Sequence, residues 1–173
     1  GVDGIAVISV TTNSDTLTEG AETLTVTAAG ATASTTVNDT SLTPAIVGST
    51  HTLTTGADTF TGNTGDDTFA GAEIAGVAVW TVGDALDGGE GTDVFNVDQT
   101  AAITGPVGVT VVGIETANLT SSSTVAANAS GWTGLTALNI TSVGGAGTVT
   151  AADTTAVTAT NTGANAVTLA NGL

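Results

Sequence analysis

The chain has 173 residues, with no Lys, Arg, Cys, Met or Tyr, and sixteen carboxylates against one His give a formal net charge of −16. Without a basic side chain it cannot clamp nucleic-acid phosphates, dock on an anionic membrane or hold a phosphoryl group in transfer. Without Cys it can form neither a disulfide nor a thiolate zinc site, and one His cannot make a His-rich one.

Residues 1–41 read as β. Ile5, Val7 and Val10 alternate roughly, and Leu24 and Val26 alternate cleanly with Thr23, Thr25 and Thr27. Thr-rich alternation marks a strand with one wet face. Turns are expected at Glu19-Gly20 and Ala29-Gly30, and Asn38-Asp39 closes the block. The block is short for a β-sandwich and is read as the C-terminal part of one. Residues 42–51, with Pro44, read as a linker, and His51 as a surface or packed side chain.

Residues 52–98 are rich in Gly and Asp. Residues 99–173 return to short β segments at Val109–Val112, Ala117–Thr120, Ala137–Thr141, Thr148–Thr150, Ala156–Thr160 and Ala166–Leu169, punctuated by Gly and Asn. Their spacing suits a β-solenoid or a sandwich; the short strands and similar units favour a parallel solenoid, expected to continue beyond the chain's end. Only Val125–Trp132 is expected to make a helical turn or two, and Trp80 and Trp132 are read as core or cap residues. No apolar run reaches about 18 residues, so no transmembrane helix is expected. The chain opens at Gly1 without a secretion signal, which suggests a segment of a larger protein.

Nine of the sixteen carboxylates lie between residues 51 and 100. No basic side chain neutralises them, which leaves cations. All-oxygen ligands select Ca²⁺ or Mg²⁺. The spacing is regular. Gly56-Ala57-Asp58-Thr59-Phe60 is echoed by Gly65-Asp66-Asp67-Thr68-Phe69. Further on, Gly83-Asp84-Ala85-Leu86 is followed by Gly88-Gly89-Glu90-Gly91-Thr92-Asp93-Val94-Phe95. Asp58 to Asp67 and Asp84 to Asp93 are each nine residues, and an apolar residue stands two places after every one of these Asp residues.

Physically, the glycines permit a tight turn that aims backbone carbonyls inward, from Gly56, Gly65, Gly89 and Gly91. The Asp adds charge at the same point. The apolar residue two places on enters the interior at the start of a short strand. Residues 88–95 match Gly-Gly-x-Gly-x-Asp-x-apolar throughout, and 62–69 match except at Asn63. This resembles the RTX-type nonapeptide β-roll, in which stacked loops enclose calcium.

The resemblance implies Ca²⁺ ligation by Asp58, Asp67, Asp84 and Asp93. Asp66, Asp87 or Glu90 would serve any ion beyond two, and affinities would be near 10⁻⁴–10⁻³ M. Successive nonapeptides fall on opposite sides of a roll, so Asp58 should approach Asp84, and Asp67 should approach Asp93. Ala70–Thr81 interrupts the period and should bulge outward.

Two further resemblances extend the reading. Leu17 to Val26, followed by Val37-Asn38-Asp39, is similar to the C-terminal half of a Calx-beta-like domain, which implies Glu19, Glu22 and Asp39 as further calcium candidates. His51–Gly56, Gly113-Ile114-Glu115-Thr116 and Trp132–Thr141 resemble type I secreted bacterial surface-layer proteins. That resemblance implies a calcium-dependent structural protein at the cell surface that self-associates into a lattice or fibre. It also implies contact with a cell-surface glycan or lipopolysaccharide. The alternatives are the stalk of a large RTX adhesin and the RTX region of a secreted enzyme. Catalysis within this segment is not expected: no Gly-x-Ser-x-Gly stands beside the single His, and aromatics are scarce.

Overall fold

The structure is a computed structural model, and it describes residue 9 and residues 20–38, 45–144, 147–161 and 167–171. Two compact units divide the chain, Gly1–Ala45 and Ile46–Leu173. Among the described residues every regular element is a strand.

In the first unit, β1 (Glu22–Ala28) and β2 (Ala31–Val37) form an antiparallel hairpin, with Glu22 opposite Val37 and Ala28 opposite Ala31. Ala29 and Gly30 connect them with φ of 50° and 82°, the left-handed pair that matches strand twist in a two-residue hairpin. On one face, hydroxyls pair across the strands at 3.1 Å, Thr25 with Ser34 and Thr27 with Thr32. This hairpin is the part of the expected sandwich block that lies within the described residues.

The second unit is a parallel β-solenoid. Its strands are β3 (Thr50–Thr52), β4 (Thr59–Thr61), β5 (Thr68–Ala72), β6 (Ala85–Asp87) and β7 (Val94–Gln99). They continue with β8 (Ile103–Thr104), β9 (Thr110–Val112), β10 (Thr116–Ser121), β11 (Val125–Ala129) and β12 (Ala137–Ser142). The last are β13 (Gly147–Ala151), β14 (Ala156–Asn161) and β15 (Val167–Asn171).

One face is a six-stranded sheet in the order β3-β5-β7-β10-β12-β14, so the chain makes five turns between its first and last rungs. A second face stacks β4, β6 and β9, and a third stacks β8, β11, β13 and β15. The second face extends by a bridge from Val112 to Thr133 and the third begins at β8, so the middle turns carry three sides.

Strict alternation builds the interior. In the six-stranded sheet His51, Phe69, Phe95, Ala117, Leu138 and Val157 fall in register, and Phe69, Phe95, Ala117 and Leu138 have no exposed surface. Leu119 and Ile140 form a neighbouring column, with Leu86 and Val111 facing in from the second side and Ile103, Val125 and Val149 from the third. These side chains leave water together, and each fully buried Val, Leu, Ile or Phe among them contributes about 1.5–3 kcal/mol of transfer free energy. On the outer face an amide ladder runs along the same sheet: Asn118 donates to Asn96 at 2.8 Å and accepts from Asn139 at 2.9 Å.

The structure departs from the sequence reading in two places. Val125–Trp132 makes no helix. Val125, Ala127 and Ala129 point inward at strand spacing, and β11 takes its ladder partners from β8 and β13. Thr50 and His51, read as the end of a linker, form the first rung against Thr68 and Phe69. His51 belongs to the interior column and stacks on Phe60 and Phe69, with ring centroids 5.1 and 5.0 Å apart. The segment after β5 does project, as a small antiparallel bridge of Ile74 and Val77 around Ala75 and Gly76. It returns at Val79 and Trp80, which are buried.

Candidate metal centre

Each nonapeptide Asp stands just before a strand, and the strands alternate between two faces: Asp58 before β4, Asp67 before β5, Asp84 before β6, Asp93 before β7. All four are almost fully buried. The 26-residue turn then brings them together in the expected pairs. The Asp58 backbone N–H donates to Asp84 Oδ1 at 2.9 Å, and the Asp67 N–H donates to Asp93 Oδ1 at 2.6 Å.

The carboxylates of Asp67, Asp84 and Asp93 therefore each tie one turn to another. Asp67 Oδ1 accepts the Ser49 N–H, and the Asp93 N–H donates to Glu115 Oε2 at 2.8 Å, so one column runs Ser49, Asp67, Asp93, Glu115. Glu115 was not among the sequence-derived candidates. Its signal is its place: it stands two residues before the inward Ala117, as Asp93 stands before Phe95 and Asp67 before Phe69.

The two pairs differ in what remains free. Asp58 also accepts from the Thr54 N–H and hydroxyl, at 2.7 and 3.0 Å. Asp84 Oδ2 accepts the Thr81 N–H at 2.7 Å. Asp67 Oδ2 accepts the Asn63 N–H at 2.7 Å. Asp93 Oδ2 is buried with no partner. Burial pushes the Asp93 carboxyl above its ordinary value, the charges of Glu115, Asp67 and Asp66 push the same way, and the Asp67 N–H opposes them.

The glycines explain the convergence. A Cβ on Gly88 would lie far inside contact with both Asp93 Oδ2 and the Gly113 carbonyl oxygen. One turn earlier, a Cβ on Gly62 would meet Asp67 Oδ2 and the Gly88 carbonyl oxygen in the same way. A carboxylate oxygen and a carbonyl oxygen of the next turn thus meet over each α-carbon, in a cradle only glycine leaves open. Gly62 and Gly88 carry this arrangement, and the turn glycines Gly89 and Gly91 lie against the carbonyl oxygens of Asn63 and Gly65 on another turn.

Gly89 and Gly91 sit at φ of 90° and 124°, conformations that side chains resist. Gly65 is buried against Ile46–Gly48, and Gly56 is exposed with open space beside it. Asp66 is exposed and accepts the Thr92 N–H at 2.8 Å, and Asp87 accepts the Gly89 N–H at 3.2 Å. Glu22 is exposed at the start of β1 in the other unit, and Glu19 and Asp39 lie outside the described residues.

Among the described residues no three carboxylate or imidazole side chains converge on one point. A cation here would draw much of its shell from main-chain carbonyls, as a hard divalent ion readily does. The oxygens at Gly88 fit such an ion: one buried carboxylate oxygen lacks any donor, one carbonyl oxygen crowds the same side of the Gly88 α-carbon, and the charges of Glu115, Asp67 and Asp66 act on the site. At Asp58 and Asp84 the carboxylate oxygens already accept protein donors. Comparison with known proteins returned no matching family model and no matching curated sequence.

Proposed function

We propose that this chain is a structural segment of an exported surface assembly, and that its solenoid is closed by calcium. The observation that carries the reading is Asp93 Oδ2, a buried carboxylate oxygen without a donor in a chain that has no Lys or Arg. Burying such a charge unpaired is costly, and a divalent cation is the partner that the composition leaves.

Asp93, the Gly113 carbonyl and Glu115 would hold the ion in the column that includes Asp67. When bound, calcium supplies positive charge between turns whose carboxylates otherwise repel one another. The chain's own groups do the rest. Asp67 and Asp93 fix the turn-to-turn register through their amides, and Gly62 and Gly88 allow the turns to approach.

The surface-layer reading rests on the sequence resemblance and suits the architecture. A solenoid is quasi-one-dimensional, extends by adding rungs, and presents long faces for lateral contact. Calcium titration of the chelated protein, followed by far-UV circular dichroism and limited proteolysis, tests the metal. A saturable gain of protection at millimolar or lower calcium is expected. Electron microscopy of the longest natural form tests the assembly. Ordered sheets or fibres with calcium are expected, and persistent monomers at every calcium concentration would refute the lattice.

A further inference from the structure

Eleven of the carboxylates are Asp, and two of these stand immediately before a glycine: Asp3, which lies outside the described residues, and Asp87. The peptide unit between Asp87 and Gly88 is held from both sides. Its carbonyl oxygen accepts the Gly62 N–H of the preceding turn at 2.7 Å, and its N–H donates to the Val112 carbonyl of the following turn at 2.9 Å. One peptide unit therefore joins three turns. It ends at the Gly88 α-carbon, over which Asp93 Oδ2 and the Gly113 carbonyl oxygen meet. Asp87 itself is exposed, and its Oδ1 accepts the Gly89 N–H at 3.2 Å. That bond folds the carboxyl back across the Gly88 amide.

We propose that Asp87-Gly88 is a self-modification site, at which the chain converts Asp87 to isoaspartate when this turn opens. The chemistry needs only the chain and water. The Gly88 nitrogen attacks Cγ of Asp87 in the acid form of its carboxyl. The N–Cγ bond forms, the Cγ–OH bond breaks, and the amide proton leaves with that hydroxyl as water. The product is a five-membered succinimide. Water then adds to one of the two ring carbonyls. Addition at Cγ breaks the N–Cγ bond and restores Asp87. Addition at the main-chain carbonyl breaks its bond to nitrogen, so the chain runs on through Cγ and the former carbonyl becomes a free carboxylate.

Three features select this residue. First, Gly88 places no Cβ beside the attacking nitrogen, whereas every other described Asp precedes Thr, Asp, Ala, Val or Gln. Second, the carboxyl already lies over this amide, while those of Asp58, Asp67, Asp84 and Asp93 are buried in ties of their own. Third, the closed fold blocks the reaction. The nitrogen is engaged by Val112 and the planar peptide is pinned by Gly62, so ring closure waits for local opening. The gate is this pair of backbone bonds, whatever holds the turns together, so the inference does not depend on the calcium reading.

The change is one-way for the turn. Isoaspartate adds one carbon to the main chain just before Gly88 and moves the acceptor of the Gly62 N–H off the main chain. Gly88 then cannot return to a position so tight that even a Cβ would collide with two neighbouring oxygens.

The test ages the full chain in warm neutral buffer, folded and in urea. Isoaspartate is located by an endoproteinase that cuts before Asp and not before isoaspartate, with electron-transfer fragmentation of the peptides. In urea it should build up at Asp87 and at Asp3 at comparable rates. In native buffer the rate at Asp87 should fall by about tenfold or more, because reaction requires the open turn. After removal of urea, the isomerised fraction should be cleaved first between residues 60 and 95, and the unmodified fraction should regain its resistance. Asp87→Glu keeps the charge and cannot close the five-membered ring. It should show no modification at this position and keep the parent's circular dichroism spectrum. Absence of isoaspartate at Asp87 in urea, equal rates in the folded and unfolded chain, or full protease resistance of the isomerised fraction would each overturn the proposal.

Discussion

Asp93 accepts the backbone N–H of Asp67 at 2.6 Å through Oδ1, while its Oδ2 is buried without a donor. The same carboxylate is therefore half a structural tie and half an unpaired charge. Asp93→Asn separates the two, because an amide keeps the acceptor for Asp67 and loses the charge.

The pH dependence follows from the direction of the shift. The Asp93 carboxyl is held above its ordinary value, so the folded chain favours its protonated form. Its contribution to stability is present below the ordinary carboxylate value and is lost as pH rises through the raised one. In chelator at neutral pH, Asp93→Asn should therefore be more stable than the parent, and the two should converge on acidification to about pH 4. With calcium the order should reverse. Urea unfolding monitored by tryptophan emission measures all three; a less stable variant in chelator at neutral pH would contradict the unpaired charge.

Gly88→Ala should be among the most damaging single substitutions. Its Cβ would displace the Gly113 carbonyl and Asp93 Oδ2, two groups on different turns. A cost of about 3 kcal/mol or more is expected, together with weakened calcium binding. Gly56→Ala is the contrast: its Cβ reaches only the Thr54 hydroxyl, at 3.9 Å. It should stay within about 0.5 kcal/mol of the parent.

Asp67→Ala and Asp93→Ala should both raise protease sensitivity between residues 60 and 95. Each strips an acceptor from an N–H of a neighbouring turn, the part-buried one of Ser49 or the buried one of Asp67. About 1–3 kcal/mol is expected for each. Asp153 is exposed in a turn, and Asp153→Ala should leave the cleavage pattern unaltered. Identical patterns for all three variants would remove the special standing of the buried column.

Leu138→Ala should cost about 2–5 kcal/mol, because Leu138 is fully buried between Ala117 and Val157 in the interior column. Each rung contacts only its neighbours, so hydrogen exchange should accelerate first in β10, β12 and β14 and least in β3. Uniform acceleration along the solenoid would show that the five turns unfold as one unit.

The sequence by itself determined the all-β class, the parallel solenoid and the positions of most C-terminal strands, because side-chain alternation and regular Gly punctuation are local signals. It also determined which Asp residues meet. A fixed nine-residue period leaves two faces, so Asp67 must stack on Asp93 and Asp58 on Asp84 once the interruption at Ala70–Thr81 is looped out. Glu115 escaped that reading because its turn has lost the glycine pattern and keeps only the position before the inward residue. His51 and β11 escaped because a three-residue rung and an Ala-rich strand carry little pattern of their own; partners 18 to 22 residues away make them strands. Only the tertiary structure decided which carboxylate oxygens are spent on backbone amides and which is left over. That depends on the approach of one turn to the next over Gly62 and Gly88, a matter of ångströms between distant residues that no spacing along the chain encodes.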